Sequence, residues 1–172
     1  MMKVIHQWKN IQLVEEKHTL PNDKEITHTS ITHPGAAVIL PITEDGRILV
    51  THQYRPSINR WIIELPAGTV ENGEEPLLCA QRELEEETGY SATNFVPLGE
   101  LTPLAGFCDE IQFLYIATGL EKTQRLECDP DEVIETKVYS LQELENLILE
   151  NIITDSKTIA ALFRAKLAGF LR

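Results

Sequence analysis

The chain is short of several things, and each shortage narrows what it can be. Basic residues number 15 against 27 acidic ones, which leaves a net charge of −12. A surface of that sign has no general affinity for a nucleic acid backbone. There are only three cysteines, Cys79, Cys108 and Cys128. They are odd in number and widely spaced, with no CxxC or Cys/His zinc pattern, so core packing or inert thiols are their expected roles. No apolar run approaches the ~20 residues of a membrane span, and no membrane partner is expected. The first ten residues lack the apolar stretch and cleavage site of a signal peptide, so a cytoplasmic location is expected. Repeats, low-complexity tracts and linkers are also missing.

What remains is ordinary globular material. Hydrophobic residues make up 42% of 172, enough for one domain with a real core. Residues 4–15 and 25–31 read as strands, with Pro21-Asn22-Asp23 as the turn between them. Residues 36–42 form a continuous apolar run suited to a buried strand, and 48–53 return after the Glu44-Asp45-Gly46 turn. Further strands are expected at 61–65, 95–101, 111–118 and 133–139. Ser140-Leu141-Gln142-Glu143 is a capping box that opens a helix to about Leu149. Asp155 or Ser156 caps a last helix, with Ile159, Leu162, Phe163 and Leu167 on one face. Strands followed by helices on both sides predict an α/β (α+β) fold, a mixed sheet sandwiched between helices.

The densest chemistry lies in residues 68–90. Glu83, Glu86 and Glu87 stand at i, i+3 and i+4, on one face of a helix. Like charges so placed repel, so the arrangement costs stability unless a cation sits among them. Hard divalent cations such as Mg²⁺ take carboxylate oxygens. Pro76 suits the first turn, and Leu77, Ala80 and Leu84 give an apolar stripe. Gly89 is placed to end the helix. Glu85 falls on the opposite side and reads as solvated. The plainer alternative is a charged surface helix with Arg82 salt-bridged to a neighbouring Glu.

The full spacing goes beyond that alternative. Gly68, Glu74, Arg82-Glu83, Leu84, Glu85, Glu86-Glu87, Thr88, Gly89 and Tyr90 together resemble the Nudix box, with every defining position filled. Glu64-Leu65-Pro66-Ala67-Gly68, Gln53-Tyr54-Arg55, His33-Pro34-Gly35-Ala36-Ala37 and Gly106-Phe107-Cys108-Asp109-Glu110 resemble the ADP-ribose pyrophosphatase branch of that superfamily. The similarity covers roughly residues 25–165.

The resemblance implies a Nudix α/β/α sandwich with a small N-terminal antiparallel β region. Residues 1–31 would form that dimerisation region and 32–172 the hydrolase domain. It also implies Mg²⁺ as cofactor, with Mn²⁺ able to substitute. Glu83, Glu86, Glu87 and the Ala67 carbonyl would be metal ligands, while Arg82 would hold the carboxylates. Gly68 would serve the backbone conformation. Arg55 would contact substrate phosphate, and Glu64 would lie near metal and substrate. Glu132, with Asp131 next, matches the late acidic position that orients or deprotonates the attacking water; Glu86 is the other acidic group in the reaction. Trp8 and Trp61 are the aromatics available to stack a base.

The implied activity is hydrolysis of the diphosphate link in a nucleoside diphosphate sugar by a homodimer. ADP-ribose, split to AMP and ribose 5-phosphate, is the first choice, and GDP-mannose or another nucleotide sugar is the second. A non-catalytic nucleotide sensor on the same fold is the alternative of another class, and the intact Glu trio argues against it. Ala105 stands where the branch often carries Pro, a departure from its ADP-ribose marker.

Overall fold

A computed structural model of the protein describes residues 2–123 and 133–172. Three strands open the chain: β1 (Lys3–Trp8), β2 (Ile11–Thr19) and β3 (Glu25–Thr32). They form an antiparallel sheet of their own, in the order β1-β2-β3. The expected single strand over 4–15 is therefore two strands. Trp8 pairs with Ile11 across a two-residue turn, and Lys9 takes a φ of 49° there. That left-handed conformation favours Gly or Asn, so a Lys-Asn pair gives little warning of a turn.

β4 (Ala36–Pro41) is buried at every position, as its unbroken apolar run predicts. It is interior to a four-stranded sheet ordered β7-β4-β9-β8, with β7 (Ala67–Thr69), β8 (Tyr90–Leu101) and β9 (Gln112–Lys122). β4 and β9 run parallel and the other pairs antiparallel, so the sheet is mixed. β5 (Ile48–Arg55), β6 (Arg60–Glu64) and β10 (Ile134–Tyr139) make a second antiparallel sheet, ordered β10-β5-β6.

Period-two alternation along β4 divides the core in two. Ala37 and Ile39 face α1 (Pro76–Thr88), where they meet Cys79, Ala80 and Leu84. Val38 and Leu40 face the other way, onto Ile48 and Val50 of β5 and Ile63 of β6. That second cluster also takes Leu144 of α2 (Leu141–Leu149) and Ala161, Leu162 and Ala165 of α3 (Ser156–Leu167). The mixed sheet thus lies between α1 on one face and the second sheet with α2 and α3 on the other.

The helix ends follow the sequence signals. Ser140 Oγ accepts from the Glu143 N–H, and the Glu143 carboxylate accepts from the Ser140 N–H, a complete capping box. Asp155 caps α3 by accepting from Thr158 N–H at 2.9 Å. Gly89 ends α1 with a φ of 70°, and its N–H bonds the Glu85 carbonyl.

The buried helix faces match the expected ones only in part, through Ala80 and Leu84 of α1 and Leu162 of α3. Phe163 and Leu167 of α3 are 63% and 73% exposed, while Thr158, Ala161, Leu162 and Ala165 point inward. On α1 Leu77 is exposed and Cys79 is buried. In both helices small residues take the contact, which lets the helix approach the sheet closely. Bulk alone misled the reading of the stripe.

The N-terminal sheet is tied to this core at one end. Ile31 N–H donates to the Phe107 carbonyl at 2.7 Å, and Asp109 N–H donates to the Ile31 carbonyl at 3.2 Å. Asp109 Oδ1 also accepts from His33 N–H at 2.7 Å. At the other end β1 is exposed throughout. Among the described residues no helix is long and apolar enough to cross a membrane.

The close packing of α3 predicts unequal responses to substitution. Ala161→Leu is expected to cost about 1–3 kcal/mol through overpacking. Phe163→Ala, on the exposed side, is expected to stay within about 0.5 kcal/mol of the parent. Urea melts of the two variants check the assignment.

Candidate active site

α1 and β7 build the site together. Pro66 and Ala67 leave β6 and enter the short strand β7, which pairs with β4 through Ala36↔Thr69, Ala37↔Gly68 and Val38↔Ala67. β7 is only three residues long, too few to show a period in the sequence. Its pairing fixes Gly68 directly against α1. A Cβ placed on Gly68 would collide with the Glu83 carboxyl group. Gly68 has no left-handed φ, so its role is close approach rather than backbone conformation, a correction to the sequence reading. One turn along, Glu87 is buried and its Oε2 accepts from Ala67 N–H at 3.0 Å. Two of the three clustered carboxylates therefore lie on the backbone of residues 67–68.

Arg82 sits among the acids. Its Nε and Nη2 donate to the two oxygens of Glu74 at 2.9 and 3.0 Å. Its Nη1 donates to Glu83 at 2.6 Å and to Glu86 at 2.9 Å. The hydrogen bond from Arg82 holds the Glu74 carboxyl below the usual carboxylate range, and the Glu74 bond in turn raises the Arg82 pKa. The salt-bridged helix foreseen as the plainer alternative is thus present, and it coexists with the box.

Arg55, at the end of β5, reaches the same place. It lines a cleft of about 340 Å³ together with Ala67, Gly68, Arg82, Glu83 and Glu86. Lys9, Asn10 and Ile11 of the β1–β2 turn form the facing wall. Sequence reasoning missed these three, because it had no turn there to place. Glu64 does not line the cleft. It is 1% exposed, and its two oxygens accept from Arg55 Nε and Nη2 at 2.7 and 2.9 Å. Lys157 of α3 donates to Glu64 as well.

Asp131 and Glu132, like Cys128, fall outside the described residues. Trp8 is stacked on His6, and Trp61 packs edge-on against Tyr54, each exposed on a strand. Both Cys79 and Cys108 are free and buried. Burial, with Glu83 and Glu74 nearby, pushes the Cys79 thiol up to about 12, which makes it a poor nucleophile.

The donor chemistry of the cleft suits a hard divalent ion. Among the described residues no three acidic, imidazole or thiol groups already converge on one point. Glu74, Glu83 and Glu86 share the Arg82 guanidinium, and all of them offer oxygen. The Gly68 cradle holds the Glu83 carboxyl group against backbone, where a side chain would exclude it. A cation of that kind would relieve the repulsion among carboxylates that share one helix face.

Comparison with known proteins gives this geometry a context. A family described as "NUDIX domain" matches residues 32–162. An ADP-ribose pyrophosphatase of Bacillus subtilis (strain 168) is 37% identical, over 92% of this chain and 86% of its own length. A methanol dehydrogenase activator of Bacillus methanolicus is 38% identical, over 88% of this chain and 82% of its own. Among solved structures, one described as an ADP compounds hydrolase superposes with a TM-score of 0.82 at 17% identity, covering 96% of this chain and 90% of that one, which is a likeness of fold. The box residues that converge on β7 are thus explained by descent as well as by geometry: the protein belongs to the NUDIX family.

Proposed function

We propose that this protein is a Mg²⁺-dependent pyrophosphatase acting on nucleoside diphosphate sugars. ADP-ribose is the preferred substrate, and AMP and ribose 5-phosphate are the products. The observation that carries the reading is the packing of Glu83 and Glu87 onto residues 67–68, in a cleft that Arg55 also lines. Glu83, Glu86, Glu87 and the Ala67 carbonyl hold the metal. Mn²⁺ is able to substitute, since it shares the preference for oxygen. When bound, the cation shields phosphate charge and lowers the pKa of a water molecule. Arg55 binds substrate phosphate, for which a planar guanidinium is suited. Glu64 holds Arg55 in place. Glu132 is assigned as the base that orients the attacking water, and Glu86 as the other acidic group in the reaction.

The protein is further proposed to act as a homodimer. β1 leaves Val4, Ile5 and Trp8 exposed on an edge strand, and two-fold pairing is the commonest way to cover such a surface. Residues 1–31 serve as the dimerisation region and 32–172 as the hydrolase domain. The β1–β2 turn on the cleft wall gives the N-terminal region a second role in substrate affinity. A protein of this type works in the cytoplasm, with neither nucleic acid nor membrane as partner.

Three results are expected. Glu87→Gln keeps an acceptor for the Ala67 N–H but loses the charge, so the fold survives while kcat falls by roughly two to three decades, or about 3–4 kcal/mol of transition-state stabilisation. Steady-state assays with saturating Mg²⁺ check this, and near-parent activity would remove the metal assignment. In a substrate panel read by product identification, kcat/KM for ADP-ribose exceeds that for GDP-mannose; the reverse order would make GDP-mannose the substrate. Light scattering at micromolar concentration gives twice the 19.5 kDa chain mass. A fully active monomer would refute the dimer.

A further inference from the structure

An ionised carboxylate with almost no water contact must be matched by nearby cations. Glu64 is such a group, and Arg55 is only half of its answer. The other half is Lys157, whose side chain is 11% exposed and whose ammonium donates to Glu64 Oε2. Lys157 stands in the first turn of α3, and its Nζ also reaches Asp155 Oδ1 at 3.1 Å. Asp155 is the helix cap, and the positive end of the α3 dipole takes up part of its charge. Next along the turn, Thr158 Oγ accepts from Leu65 N–H at 2.8 Å. The start of α3 is therefore fastened to Glu64 and Leu65 by one ionic contact and one neutral one.

A carboxylate that binds Arg55 through two hydrogen bonds also cancels its charge. If Glu64 had Arg55 alone, the guanidinium would be well oriented but electrically weak toward an anion. We propose that Lys157 is a positioning residue for substrate phosphate binding. It takes up the charge of Glu64, so that Arg55 is held by that carboxylate and still presents positive charge to the cleft. This rests on the nucleoside diphosphate sugar reading above. It assigns a role to a residue 93 positions from its partner and outside the box.

The test compares Lys157→Met, Lys157→Gln and Lys157→Arg with Thr158→Val in the full-length protein. KM and kcat for ADP-ribose are measured at saturating Mg²⁺ over a range of ionic strength. Lys157→Met and Lys157→Gln are expected to raise KM about tenfold, equivalent to about 1.4 kcal/mol, with kcat within about twofold of the parent. Their KM should also respond less steeply to salt. Lys157→Arg keeps the charge and should stay near the parent KM. Thr158→Val removes the bond from Leu65 N–H and the hydroxyl bond to Asp155 but keeps both Lys157 and Glu64, and should lower Tm without moving KM. A parent-like KM in both neutral Lys157 variants would overturn the proposal. So would a KM increase in Thr158→Val equal to theirs, since the effect would then be structural. Lys157→Gln retains a polar head and carries the comparison if Lys157→Met does not fold. Calorimetric Kd values for ADP across the same variants separate the two readings. A parent chain that hydrolyses no nucleotide sugar refutes the proposed activity, and the ADP series then decides the role of Lys157 by the same criteria.

Discussion

Mutual repulsion among acids on one helix is the constraint around which this site is organised. Glu83, Glu86 and Glu87 share a face of α1, and Glu74 is drawn to the same spot. Any fold that keeps them there must supply opposing charge or hydrogen-bond donors. Three devices are seen among the described residues. Arg82 spreads its donors over Glu74, Glu83 and Glu86. The Ala67 N–H takes one oxygen of Glu87. A glycine at 68 lets Glu83 rest on backbone. The last two require a strand at residues 67–69, and that strand requires β4 beside it. The central sheet is thus the frame that makes an acidic helix tolerable.

Local signals proved the most legible in the sequence. The Ser140 capping box needs only four residues, and the structure places it as read. The Gly89 stop and the β4 run are local in the same sense. Features that depend on distant partners were harder. α3 hides Ala161, Leu162 and Ala165 rather than Phe163, because the face turned to the core is set by tertiary packing and not by side-chain bulk. β7 is too short for periodicity and exists through its pairing with β4. The pairing of Glu64 with Lys157 joins residues 93 positions apart, and no local pattern records it. The box itself was legible, whereas the Lys9–Ile11 wall of the cleft was not.

The N-terminal sheet joins the rest through a narrow attachment. Its hydrogen bonds to residues 107–109 fix one end, and the β1–β2 turn rests at the cleft. Of the residues in its strands only Val14 is buried, so the sheet has little core of its own. Its place therefore depends on what it touches, and the cleft wall inherits that dependence. By contrast, the carboxylates, Arg82 and Arg55 are all carried by elements of the main core.

Cys79 illustrates how the acidic surroundings reach beyond metal chemistry. Its sulfur lies within hydrogen-bond range of Arg82 and of the Gly68 carbonyl, in the middle of the box. A guanidinium so near a thiol would ordinarily favour the thiolate. Here burial and the neighbouring glutamates outweigh it, and the proton stays on sulfur. Peroxides and alkylating agents react with thiolates, so they find no foothold at this position. Burial first, and the glutamates after it, thus keep the thiol at the centre of the site protonated.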